Sequence, residues 1–122
     1  MPKDNRQPYH ERRPWGAFEK FTQNEPSTVK IITVDPNQAT SLQHHGKRQE
    51  FWKVLSGEGT LTVGKKRQPA KIGDEIIVPQ GVDHRLEAGS TPLIILEIST
   101  GDFDENDIVR IDDRYGRVAK KL

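Results

Sequence analysis

Short runs of β-branched and aromatic residues recur along this chain, and residues that favour turns separate them. Such runs are typical of β-strands, because branched and aromatic side chains pack well on a pleated surface. The predicted strands are Trp15–Phe21, Thr28–Val34, Thr40–His45, Glu50–Leu55, Thr60–Val63, Gln68–Ile72, Glu75–Val78, His84–Glu87 and Pro92–Ile98. Many short strands at this spacing predict an all-β sandwich or barrel. A jelly roll is the arrangement that best protects the edges of this number of strands.

The chain has 122 residues, which is the size of one domain. Apolar residues make up 32% of it and charged residues 30%, which predicts a thin core and favours a hollow or subunit-paired barrel over a helical bundle. We predict a mobile N-terminal arm over 1–12, a single domain over 13–117 and a tail over 118–122. The only helical turn is expected between Asp102 and Arg117.

The charge balance and the residue types exclude several functional classes. Nineteen basic and eighteen acidic residues leave the chain nearly neutral, so it lacks the basic surface that nucleic-acid binding needs. The absence of cysteine excludes disulfides and thiolate chemistry. No apolar run approaches the roughly 18 residues of a membrane span, and no signal peptide is visible at the polar N-terminus. We therefore expect a cytoplasmic protein without nucleic-acid or membrane partners.

A polar cluster stands out in the stretch "TSLQHHGKRQEFW". Side chains two residues apart share one face of a strand, so Gln43 and His45 are expected to point the same way. Glu50 opens the next predicted strand, and pairing of the two strands would bring the three side chains together. His84 follows a Pro-x-Gly turn further along and would complete a set of two imidazoles, one carboxylate and one amide oxygen.

Nitrogen and oxygen ligands of this kind suit one divalent ion such as zinc, manganese, iron, cobalt or nickel. Either histidine taken alone is better explained as an ordinary imidazole that hydrogen-bonds a nearby carbonyl. The spacing of the whole set favours the metal site.

The two blocks resemble the paired motifs of the cupin superfamily. The first block runs from Gln43-x-His45 through Glu50 to Gly57, and the second runs from Gly73 through Pro79-x-Gly81 to His84. Gln43 stands where many cupins have histidine, and Ala88 stands where the second motif usually ends in asparagine. The resemblance implies a cupin double-stranded β-helix, a jelly-roll barrel, with the metal ligands Gln43, His45, Glu50 and His84.

Further blocks narrow the resemblance to the type II mannose-6-phosphate isomerases. These blocks are "RPWGAFEKF" (13–21), "RQEFW" (48–52), "GVDHRLEAG" (81–89), "PLIILEISTG" (92–101) and "DIVRIDDRYGR" (107–117). In bifunctional enzymes this family forms the C-terminal domain beside a mannose-1-phosphate guanylyltransferase. The resemblance implies metal-dependent interconversion of mannose 6-phosphate and fructose 6-phosphate through an ene-diolate. It also implies a homodimer and a glutamine ligand at Gln43, and it makes Arg48 the best candidate for catalysis or phosphate contact.

The chain departs from this family at three positions of the first motif. Gly46 and Lys47 replace histidines, and Phe51 replaces the histidine that usually follows Glu50. By strand alternation Phe51 should face away from the metal. These losses favour one alternative to the isomerase, a non-catalytic metal-containing cupin that binds a sugar or another small ligand. A third alternative is a different metal-dependent cupin enzyme such as a dioxygenase, because a fold does not fix a reaction, but Gln43 and the isomerase-like blocks argue against it.

Overall fold

The computed structural model describes residues 8–104 and 106–118, and the regular structure within those ranges is entirely β. The strands are β1 (Tyr9–Arg13), β2 (Gly16–Lys20), β3 (Ser27–Val34), β4 (Leu42–His44), β5 (Arg48–Ser56), β6 (Gly59–Val63), β7 (Lys66–Ala70), β8 (Glu75–Val78), β9 (His84–Ala88), β10 (Leu93–Gly101) and β11 (Val109–Asp112). Among the residues described, no helix is long and apolar enough to cross a membrane. The cytoplasmic location stays a prediction.

Two antiparallel sheets form the barrel, and a hairpin made of β1 and β2 lies outside them. One sheet has the order β3-β10-β5-β8 and the other the order β11-β4-β9-β6-β7. Neighbouring strands in the sheets are mostly distant in sequence, as in a jelly roll. The all-β prediction is confirmed.

The hydrophobic core lies between the two sheets, where alternate side chains of each strand meet. Trp52, Val54 and Ile95 enter it from the first sheet, and Leu61 and Leu86 enter it from the second. All five are at least 98% buried. Each such side chain contributes about 1.5–3 kcal/mol relative to an exposed one. This packing fixes the distance between the sheets.

Gly101 allows the end of β10 to approach the segment that carries the polar cluster. Its φ of 112° lies in a region that residues with a side chain rarely adopt, and an added Cβ would come within 2.6 Å of the Lys47 carbonyl oxygen. Only glycine therefore fits where β10 meets the start of β5.

Each predicted strand overlaps one of β2–β10, while β1 and β11 were not predicted. The predicted arm partly coincides with β1, which pairs with β2, so this part of the chain is a strand. The rest of the arm (1–7) and nearly all of the predicted tail (119–122) lie outside the described residues. The expected helical turn was wrong for the described part of 102–117, which contains turns and β11.

Candidate metal centre

Three potential metal ligands converge inside the barrel. The ligand atoms of His45, Glu50 and His84 all lie within 4.8 Å of one another, and all three residues are buried. Glu50 Oε1 is 3.0 Å from His84 Nε2 and 3.6 Å from His45 Nε2. The structure thus brings together three of the four predicted ligands.

The route by which these residues meet differs from the sequence prediction. The predicted pairing of the two ligand strands is wrong, because β4 pairs with β9 and β11, whereas β5 pairs with β10 and β8. His45, just after β4, and His84, at the start of β9, therefore lie on one sheet. Glu50 reaches them from β5 across the interior of the barrel.

The hydrogen bonds of both imidazoles fix which ring nitrogen carries the proton. His45 Nδ1 lies 2.7 Å from the Asp107 carbonyl oxygen, and His84 Nδ1 lies 3.0 Å from the Val82 carbonyl oxygen. A carbonyl oxygen only accepts, so each Nδ1 donates its proton, and in the neutral ring Nε2 carries a lone pair. This is the orientation in which a histidine binds a metal through Nε2.

The ligand atoms lack the partners that buried polar atoms normally have. Within the described residues, neither Glu50 Oε1 nor His84 Nε2 has a hydrogen-bond partner. When His84 is neutral, both atoms are acceptors, and two acceptors 3.0 Å apart are stabilised by a proton or a cation between or beside them. The residues present therefore fit a divalent ion.

The charge states support the same conclusion. Burial alone would raise the pKa of Glu50, but its contact with His84 outweighs this and lowers the pKa to about 2, so the group is a carboxylate. Burial lowers the pKa of His45, which keeps its imidazole neutral. A carboxylate and a neutral imidazole are the forms that bind metal ions.

Arg48 lies at the edge of the centre and is 6% exposed. It donates from one guanidinium nitrogen to His45 Nε2 at 3.1 Å and from the other to the Asp104 carbonyl oxygen at 3.3 Å. Its guanidinium also lies over the Phe103 ring, 4.4 Å from the centroid. A lone pair serves one partner at a time, so Arg48 must release His45 when that imidazole binds a metal. Its predicted role in catalysis or phosphate contact stays a prediction.

Gln43 lies beside the three converging residues on the same inner face. It is directly opposite His84 in the pairing of β4 with β9, and opposite residues of an antiparallel pair share a face. Its Oε1 accepts a hydrogen bond from Ser41 Oγ at 2.5 Å. Its role as the fourth ligand stays a prediction.

Sequence reasoning missed Asp107, which holds the segment between the two ligand strands. Its carboxylate accepts hydrogen bonds from the backbone N–H groups of Gly46 and Lys47, each at 2.9 Å, while its carbonyl binds His45. The bond from Gly46 is the main cause that lowers the pKa of Asp107. The only sequence signal for Asp107 was its place at the start of the block "DIVRIDDRYGR", which contributes to the family resemblance.

Glu97 is a second buried carboxyl group inside the barrel that the sequence analysis did not single out. It accepts a hydrogen bond from Trp52 Nε1 at 3.3 Å. Burial, followed by repulsion from Glu50, raises the pKa of Glu97 to about 7. Strand alternation in "LEIST" would have placed it on the inner face with Ser99, which lies 3.5 Å from Glu50 Oε2.

Phe51 faces away from the centre, since it alternates with Glu50 and Trp52 along β5. It is 5% exposed and packs against Phe21 with the ring centroids 5.5 Å apart. Trp52 is in the core, whereas Trp15 lies in the turn of the outer hairpin and is 72% exposed.

Comparison with known proteins places this geometry in context. The family model described as "Mannose-6-phosphate isomerase C-terminal" matches residues 3–113. Mannose-1-phosphate guanylyltransferase ManC of Salmonella typhimurium is 38% identical over 108 residues, which are 87% of this chain and 22% of the relative. The chain thus spans about a fifth of the length of this curated relative.

Solved structures show the same fold. A conserved protein with a double-stranded β-helix domain from Klebsiella pneumoniae superposes with a TM-score of 0.62 at 20% identity, covering 90% of this chain and 89% of that one. A cupin-2 domain from Rhodospirillum rubrum superposes with a TM-score of 0.59 at 21% identity, covering 71% of this chain and 64% of that one. The predicted cupin fold is confirmed.

Proposed function

The chain belongs to the mannose-6-phosphate isomerase C-terminal family, and from this we propose that it is a metal-dependent isomerase that interconverts mannose 6-phosphate and fructose 6-phosphate. The observation that carries the proposal is the convergence of His45 Nε2, Glu50 Oε1 and His84 Nε2 inside the barrel, where all three residues are buried. This set, with Gln43 as the proposed fourth member, would hold one zinc, manganese, iron, cobalt or nickel ion.

Aldose–ketose interconversion removes a proton from a carbon next to a carbonyl, and negative charge develops on the oxygen. An ion bound at this centre would supply positive charge to stabilise that oxygen. The protein's own residues provide the setting: Asp107 and Val82 fix the imidazole tautomers, and the core excludes water behind the site. Arg48 adds a second positive charge at the edge.

A coupled assay of fructose 6-phosphate formed from mannose 6-phosphate tests the proposal. We expect turnover that chelation abolishes and that a divalent ion restores. Glu50→Gln should abolish it, because it removes the one negative charge among the proposed ligands. Glu58→Gln, an exposed change of the same kind, should have no effect.

The second candidate function is a non-catalytic cupin that binds a sugar or another small ligand. The specific observation in its favour is Phe51, which has no titratable group at a position where the family resemblance implies a histidine. Metal binding without turnover of any hexose phosphate would establish it in place of the isomerase.

We also propose that the protein forms a homodimer through the first sheet. β3 is an edge strand, and its Val29 and Ile31 are 58% and 65% exposed. Apolar residues on an unpaired edge favour association with another strand.

A further inference from the structure

A row of polar side chains crosses the inner face of the second sheet at the level of the metal centre. Arg110 on β11 lies directly opposite Gln43 on β4, and Gln43 lies directly opposite His84 on β9. Directly opposite residues share a face, so Arg110 points to the same side as His84. Its neighbours Val109 and Ile111 are about half exposed, as expected for the outer face.

Arg110 has no counter-charge among the residues that the structure describes. Its Nε is buried and lacks a hydrogen-bond partner there. Other arginines are paired: Arg85 with Asp112 at 3.0 Å, and Arg67 with Glu87 at 3.1 Å. A partly buried, unpaired guanidinium is costly to keep, so an anionic ligand is the natural partner for it.

The position of Arg110 suits an anion on a ligand that also reaches the metal centre. Adjacent strands are about 4.8 Å apart, so two steps across the sheet separate the backbones of Arg110 and His84 by about 10 Å. A hexose 6-phosphate has its carbonyl and its phosphate at opposite ends of a chain of similar extent. Arg48 is less available for the phosphate, because its guanidinium donates to the Asp104 carbonyl oxygen and lies over the Phe103 ring even when it has released His45.

We propose that Arg110 binds the phosphate group of the substrate and so places the carbonyl end of the sugar at the metal centre. The planar guanidinium donates two parallel hydrogen bonds to phosphate oxygens. This role rests on the proposed isomerase function, but the binding of phosphate itself can be measured without turnover.

Kinetics of Arg110→Gln and Arg110→Lys test the positioning role. We expect Arg110→Gln to raise KM for mannose 6-phosphate about 10- to 100-fold, the loss expected for a charge-assisted pair. The rate with unphosphorylated mannose should not change. The KM of Arg110→Lys for mannose 6-phosphate should lie between those of the wild type and Arg110→Gln. Arg67→Gln is the matched control, since it removes the same charge from the outer surface. An unchanged KM in Arg110→Gln overturns the proposal.

Calorimetric titration of the metal-loaded protein with inorganic phosphate separates this proposal from the isomerase. The wild-type protein and Arg67→Gln should bind phosphate more tightly than Arg110→Gln by the same factor as above. If the wild type binds phosphate more tightly than Arg110→Gln but shows no turnover, the proposed isomerase function is wrong and the proposed phosphate site is supported. Equal phosphate affinity in the wild type and Arg110→Gln overturns the site. If Arg110→Gln does not fold, Arg110→Lys replaces it in the same titration, because lysine keeps the charge but cannot form the two parallel hydrogen bonds. A phosphate affinity equal to that of the wild type would then overturn the site.

Discussion

At the scale of single residues, the centre depends on main-chain carbonyls as much as on side chains. His45 and His84 present Nε2 to Glu50 only because Asp107 and Val82 accept their Nδ1 protons. Strand alternation placed Gln43 and His45 on one face of a strand from the sequence alone. The carbonyls could not be identified that way, because any residue carries one and Asp107 lies 62 positions from His45.

Phe51→His introduces the histidine that the family resemblance implies after Glu50. We expect the free energy of unfolding to fall by about 2 kcal/mol, since an imidazole would replace a buried ring packed on Phe21. Metal affinity should not change, because this side chain lies on the opposite face of β5. Chemical denaturation and a metal titration measure the two effects.

Phe51→Leu is the control for this experiment, since it shrinks the side chain without adding a polar group. A tenfold gain in metal affinity in Phe51→His alone would show that the side chain at 51 reaches the centre, contrary to the structure.

At the scale of elements, the sequence predicted where strands lie better than how they pair. Period-two alternation is local and identifies the inner face of a strand, whereas its partner depends on packing with distant segments. This is why β4 and β5 were wrongly paired. β1 and β11 were missed for another reason: "YHERR" and "VRID" are short and largely charged, so their strand signal is weak.

The outer hairpin attaches to the first sheet through a charged contact. Lys53 Nζ lies 2.6 Å from Glu19 on β2 and 3.5 Å from Glu75 on β8. Burial, followed by the neighbouring Glu19, raises the pKa of Glu75 above its ordinary value of 4.5. The folded protein therefore keeps a proton on Glu75 that the unfolded chain has already released.

This contact makes stability depend on pH in a defined direction. The stabilising contribution of Glu75 is fully present below its unfolded pKa of about 4.5 and is lost as the pH rises through its raised folded value. Glu75→Gln removes that titration. Relative to the wild type, its free energy of unfolding should therefore increase with rising pH above about 4.5 and then level off. Denaturant titrations across this range measure the difference, and a difference that stays constant or declines would contradict the assignment.

At the scale of the whole molecule, exposed apolar residues on β3 determine the proposed association. Ile31→Lys should convert a dimer into a monomer, because it places a charge in the middle of the exposed edge strand. Ile72→Lys is the matched control, since Ile72 is 71% exposed but lies in the turn between β7 and β8. Sedimentation velocity measures the mass of each variant. A monomeric wild type, or a dimer that persists in Ile31→Lys, would exclude this interface.

Glu50 belongs to one sheet and the two histidines to the other, so the distance between their side chains depends on how the two sheets pack. Any change that spreads or compresses the layer between the sheets moves the carboxylate relative to the imidazoles, even when it occurs far from these three residues. Residues such as Leu61 and Ile95 thus act as spacers for the ligand triangle. A change in the packing of the interior is therefore expected to change the geometry of the proposed metal centre as well.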